Sequence, residues 1–119
     1  MIRKADERTC VSKQFFGAPG VVYVQNILNG GEFAGKGRLF AHNVIKPGMG
    51  LGDHTHHGEF EVYYILKGVG TYNDNGTEIL VHPGDVTVCP DGETHGIYNN
   101  GTEDLEFIAL IVYTTKTDA

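Results

Sequence analysis

Residues 52–61 read GDHTHHGEFE, which places His54, His56 and His57 within four positions and follows them with Glu59 and Glu61. Imidazoles crowded beside carboxylates are the donor set of a transition-metal site. In an extended segment, side chains at i and i+2 share a face, so His54 and His56 point the same way with Cα atoms roughly 6–7 Å apart. Two imidazoles at that spacing can converge on one ion. His57 has the opposite parity and is expected to point into solvent. Glu59 and Glu61 both lie at odd offsets from His56, so neither shares the histidine face unless the alternation is reset. Gly58 is where a bulge or sharp bend could do so. Glu61 then becomes the candidate ligand, on one strand face with Tyr63 and Ile65, and Glu59 is the runner-up.

A further donor is expected downstream. His95 follows the turn signal Pro90-Asp91-Gly92 and shares its face with Ile97 and Asn99. Of the other histidines, His82 precedes Pro83 in a turn and is expected to be exposed. His42 shares a strand face with Phe40 and Val44, where it either lines a cavity or packs. Arg38 lies on that same face.

The elements that position these residues read as short strands. Seventeen of the 119 residues are glycine, about twice the usual ~7%, and many fall in turn signals such as Asn75-Gly76 and Asn100-Gly101. Residues 1–20 are read as an arm or edge strand. Strands are expected at 21–28, 36–45, 60–68, 85–90, 94–100 and 104–115, with a hairpin around 73–76. Residues 21–115 would form a single β domain, and the tail 116–119 is expected to fray. No apolar pattern recurs at helical spacing, so the fold class is all-β, an antiparallel sandwich or barrel.

The bulk composition excludes several functions. Nine lysines and arginines against fifteen acids give a net charge of −6, which argues against nucleic acid or an anionic membrane as partner. No apolar run approaches the ~20 residues of a membrane helix, and MIRKADERTC lacks the apolar core of a secretory leader. Cys10 and Cys89 form no Cys-x-x-Cys pair and read as free thiols of a cytoplasmic protein.

Two segments together resemble the cupin superfamily. The first runs Gly48, five residues, His54-x-His56, four residues, Glu61, six residues, Gly68. The second runs Gly84, five residues, Pro90-x-Gly92, two residues, His95, three residues, Asn99. All ten specified positions match, with 15 residues between the motifs, a short spacing similar to that of small microbial cupins. The resemblance implies a double-stranded β-helix, a jelly-roll-like barrel. Inside it His54, His56, Glu61 and His95 would hold one divalent transition metal ion. The family pattern favours Glu61 over Glu59. The donor set suits Mn, Fe, Co, Ni, Cu or Zn rather than Ca or Mg.

The function expected on this basis is a metal-dependent enzyme acting on a small polar metabolite, as an isomerase, decarboxylase, lyase or dioxygenase. The alternative is a non-catalytic metal- or ligand-binding module. Tyr63 is the candidate catalytic residue, and Arg38, His42 and Ile97 are candidates for contact with a small-molecule substrate. A homodimer is the family-level expectation, with residues 14–28 suited to extending a neighbour's sheet.

Overall fold

The computed structural model describes residues 1–114. The expected fraying of 116–119 and the last residue of the strand expected at 104–115 lie outside the described residues. Ten strands make two antiparallel sheets: β1 Cys10–Lys13, β2 Val22–Leu28, β3 Gly37–Ile45, β4 Gly50–Thr55, β5 Glu59–Lys67, β6 Gly70–Asp74, β7 Thr77–Val81, β8 Val86–Cys89, β9 Thr94–Tyr98 and β10 Leu105–Tyr113. The larger sheet has the order β1-β2-β3-β10-β5-β8 and the smaller β4-β9-β6-β7. Two single 3-10 turns, at Ala5–Glu7 and Gly30–Glu32, are the only helical segments among the described residues. None of these helices is long and apolar enough to cross a membrane.

Period-two burial sets the core. On β10, Leu105, Phe107, Ala109 and Ile111 face inward while the residues between them are half-buried. Register carries the pattern across three strands. Phe107 lies between Asn43 and Ile65, Ala109 between Ala41 and Tyr63, and Ile111 between Leu39 and Glu61. These rows pack against Leu51, Tyr72 and Ile97 of the smaller sheet. The hairpin expected at 73–76 joins β6 to β7, with Asn75 and Gly76 both at positive φ, as a two-residue turn of this kind demands.

Two readings of the sequence change. On β3 the inward residues are Leu39, Ala41, Asn43 and Ile45, so His42 is on the outer face, where Nε2 lies 2.8 Å from Glu106 Oε1. It does not line the cavity. The second concerns β2, which pairs with β1 along one edge and β3 along the other. It therefore has no free edge with which to extend a neighbour's sheet. Asn99, read as a strand terminator, is fully buried and donates from Nδ2 to the carbonyls of Ile45 and Glu103, tying the β9–β10 loop to the end of β3.

Candidate metal centre

His54 comes from a strand that breaks its own alternation. In the β4–β9 pair, Leu51 faces Ile97 and His54 faces His95. Three steps on β4 therefore match two on β9, and the extra residue lets Leu51 and His54 both point inward despite opposite parity. Gly96 lies opposite the bulge, where a Cβ would collide with Asp53 Oδ1. His54 Nδ1 lies 2.8 Å from the Gly52 carbonyl within the same bulge.

His56 follows the end of β4 and is clamped by the turn at 90–93. Its N–H donates to the Glu93 carbonyl, and its own carbonyl accepts from Gly92 N–H. Gly58 then adopts φ +75°, and β5 starts with Glu59, Glu61, Tyr63 and Ile65 all inward. The bend falls where the sequence required one. It brings both glutamates, not Glu61 alone, onto the histidine face.

The ligand atoms of His54, His56, Glu61 and His95 all lie within 4.8 Å of one another, and these residues could hold a metal ion. Glu61 Oε1 is 3.4, 3.0 and 2.9 Å from Nε2 of His54, His56 and His95, and His95 Nε2 is 3.1 Å from Nε2 of His54 and of His56. Donors bound at about 2.0–2.1 Å to one ion would be separated by about this much.

The second nitrogen of each ring decides what these separations mean. The Gly52 carbonyl and the Glu59 carboxylate, 2.5 Å from His56 Nδ1, can only accept, so His54 and His56 carry their protons on Nδ1. His95 Nδ1 lies 2.7 Å from the Tyr72 hydroxyl, which can accept in the same way. The Nε2 atoms then present lone pairs to one another and to a carboxylate oxygen. Without a cation, or added protons, that arrangement is repulsive. Partners on the far nitrogen are also what fixes ring orientation in metal-binding histidines.

The surroundings set the charge states. Burial would raise the Glu61 carboxyl, but with protons on the Nε2 atoms that face it the three imidazoles outweigh burial and hold it well below the usual carboxylate range. The Arg38 guanidinium, donating from Nε and Nη2 to the two Glu59 oxygens at 2.7 Å each, holds the Glu59 carboxyl low as well. Burial pushes the Cys89 thiol up to about 11, leaving it an inert, protonated filler. Cys10 is likewise free.

Beside the cluster is a cavity of about 130 Å³, lined by Phe15, Phe16, Val24, Arg38, Leu39, Asn43, Leu51, His54, His56, Glu61 and Ile111. Arg38 belongs to it because β3 carries a bulge: Leu39 pairs with Ile111 and Gly37 with Val112, leaving Arg38 unpaired and free to reach across. Phe16 stacks face to face on the His54 ring at 4.3 Å and 13°.

The other residues singled out from sequence are placed elsewhere. Tyr63 is fully buried and stacks on the His95 ring at 4.9 Å and 19°. Its hydroxyl has no partner and does not reach the cavity. Burial pushes it well above its ordinary pKa. Ile97 is fully buried in the hydrophobic core, not on the cavity wall. His57 is exposed, and His82 is mostly exposed beside Asp85. Sequence reasoning missed Asn43, Phe15, Phe16 and Tyr72. For Asn43 a signal existed, a lone amide in the otherwise apolar series Leu39, Ala41, Ile45. The aromatic residues gave none.

Residues 41–113 match the family described as the cupin domain. Over 96 residues the chain is 44% identical to an oxalate-binding protein of Thermotoga maritima, covering 81% of this chain and 79% of that protein. The fold superposes with a TM-score of 0.89 on the crystal structure of a predicted oxalate decarboxylase from Thermotoga maritima. The two are 39% identical, and the match covers 95% of this chain and 99% of that one. A candidate sugar phosphate isomerase from Acidithiobacillus ferrooxidans gives a TM-score of 0.78 at 27% identity, over 93% of this chain and 74% of that one.

Proposed function

This chain belongs to the cupin family, and from that premise we propose that it binds a small carboxylate of the oxalate type through a divalent transition metal held by His54, His56, Glu61 and His95. The observation that carries this reading is the convergence of imidazole lone pairs and one carboxylate oxygen in a buried cluster beside a cavity. A bound ion would supply a Lewis-acid centre for ligand oxygens. With three neutral imidazoles and one carboxylate, a divalent ion leaves a net charge of +1, which favours an anion. Arg38 adds three N–H groups that Glu59 does not use. The apolar wall of Leu39, Leu51, Phe15 and Phe16 lowers the local polarity and strengthens these attractions. The unit is the single domain of residues 21–115, with residues 1–20 as an arm whose Phe15 and Phe16 line the cavity. Names among the relatives agree, one being an oxalate-binding protein.

Binding is favoured over turnover by the fate of each titratable group on the wall. The histidines and Glu61 are committed to the ion, and Arg38 is occupied with Glu59. No uncommitted acid or base lines the cavity among the described residues. A decarboxylase needs a proton donor beside the metal.

Elemental analysis of the purified protein should find about one equivalent of a transition metal. Calorimetry should then show oxalate binding to the loaded protein and not to the chelator-stripped one. Metal-independent oxalate binding would overturn the reading, and release of formate or carbon dioxide from oxalate would replace binding with catalysis.

A further inference from the structure

The cavity has two polar ends, and the function proposed above uses only one. At the first end are Arg38 and the donors of the cluster. Leu39 marks its level, being in register with Ile111 and Glu61 across β3, β10 and β5. Asn43 lies four residues further along the same inward face of β3, about 13 Å away by strand rise, yet it lines the same cavity. The cavity, of about 130 Å³, has Arg38 and the cluster donors on one part of its wall and Asn43 on another.

Asn43 is 2% exposed, and its Oδ1 has no hydrogen-bond partner. A buried amide oxygen is normally paired, and nothing in the described fold pairs this one. Oxalate held at the metal end is too short to reach it.

We infer that the site takes a longer ligand, a straight-chain carboxylic acid with a metal-chelating 2-hydroxy or 2-oxo head at one end and a hydroxyl or amide donor at the other, where Asn43 reads it. This rests on the carboxylate reading of the metal end and names the chemistry of the far end. The apolar wall of Val24, Leu39 and Leu51 fits the methylene chain.

The test compares two acids with the same head, 2-hydroxypentanoate and 2,5-dihydroxypentanoate, by calorimetry on protein loaded with the metal that elemental analysis identifies. Oxalate serves as the probe of the metal end. The terminal hydroxyl should raise affinity by about tenfold, the upper range for one buried hydrogen bond. Asn43→Leu should abolish that preference while leaving oxalate affinity within about twofold. Asn43→Val is the second variant should the leucine side chain disturb folding. Equal affinity of the two acids for the unaltered protein overturns the inference, as does a preference that survives in both variants. Failure of oxalate and both acids to bind the loaded protein removes the carboxylate reading, and this inference with it.

Discussion

Replacing Glu59 by glutamine tests the chain of contacts that orients His56. Glu59 Oε2 lies 2.5 Å from His56 Nδ1, and Arg38 grips the same carboxylate through two 2.7 Å hydrogen bonds. The carboxylate only accepts, so it forces the His56 proton onto Nδ1 and leaves Nε2 bare toward Glu61. A glutamine of the same shape can turn its NH2 toward Nδ1, which moves the proton to Nε2 and blocks the donor. Loss of such an outer partner costs about 10–100-fold in metal affinity, or about 1.4–2.7 kcal/mol. The effect should be smaller than that of Glu61→Gln, which removes a donor atom. Competition against a chelator of known affinity measures both. The Glu59 carboxyl lies below its ordinary value of 4.5, first because of Arg38 and also because of His56. A lowered folded-state pKa gives stability that is present above the unfolded value and lost as the pH falls through the folded one. Metal-free Glu59→Gln should therefore lose part of the acid-range dependence of stability seen in the parent. Metal affinity within threefold of the parent refutes the orienting role. A loss as complete as in Glu61→Gln makes Glu59 itself a ligand.

Three further outcomes follow from the structure. His95→Ala should lose most of its bound metal by elemental analysis while His57→Ala keeps it, because His95 points into the cluster and His57 into solvent; equal metal content in both would dismantle the site. Asn43→Leu, which removes an orphaned amide oxygen whose burial costs about 1–3 kcal/mol, should raise the ligand-free Tm by about 4 °C or more, and a fall in Tm would mean that the amide has a structural partner. The outer face of the larger sheet has cross-strand apolar rows, Val88–Val62–Leu110–Phe40 and Val86–Tyr64–Ile108, with Val86 and Val88 more than half exposed; a homodimer built on it should appear in light scattering and dissociate in Val88→Asp, and a monomeric parent at micromolar concentration sinks that expectation.

The strands were legible in the sequence where alternation was unbroken. Val62, Tyr64, Ile65 and the run from Leu105 to Val112 announce strands because β-branched and aromatic residues suit a pleated, half-buried surface. The glycine pairs announce the turns between them. The grouping of His54, His56, Glu61 and His95 was legible too, because residues of those types at that spacing can converge on one point. Face assignments on β3 were not. Read as even-numbered, Arg38, Phe40 and His42 form one face with Val44, and nothing in the sequence says which face is inward. Asn43 argues for the wrong choice, since a polar side chain in a strand ordinarily faces solvent. The inward face was settled by pairing with β10, whose small residue Ala109 sits opposite Ala41, a contact between positions 68 apart in the chain.

Four side chains at the site owe their direction to a local irregularity of the backbone. Arg38 reaches the cavity from a bulge in β3. His54 faces inward because of a bulge in β4. Glu59 joins the cluster because Gly58 restarts the alternation, and Phe16 caps His54 from a segment where its own φ is +54°. The first three are places where period two fails by one residue, and a regular strand would have turned that side chain to the other face; Phe16 lies in a turn. Such departures cost local hydrogen bonding and backbone freedom, so they persist where the surrounding structure holds them. Here Arg38, His54 and Phe16 line one cavity, and Glu59 is hydrogen-bonded to Arg38 and His56 beside it. A regular barrel would hold its core as well without them, but it could not aim three imidazoles, two carboxylates and a guanidinium at the same small volume. The irregularities, more than the strands between them, therefore mark which part of this fold is built for binding.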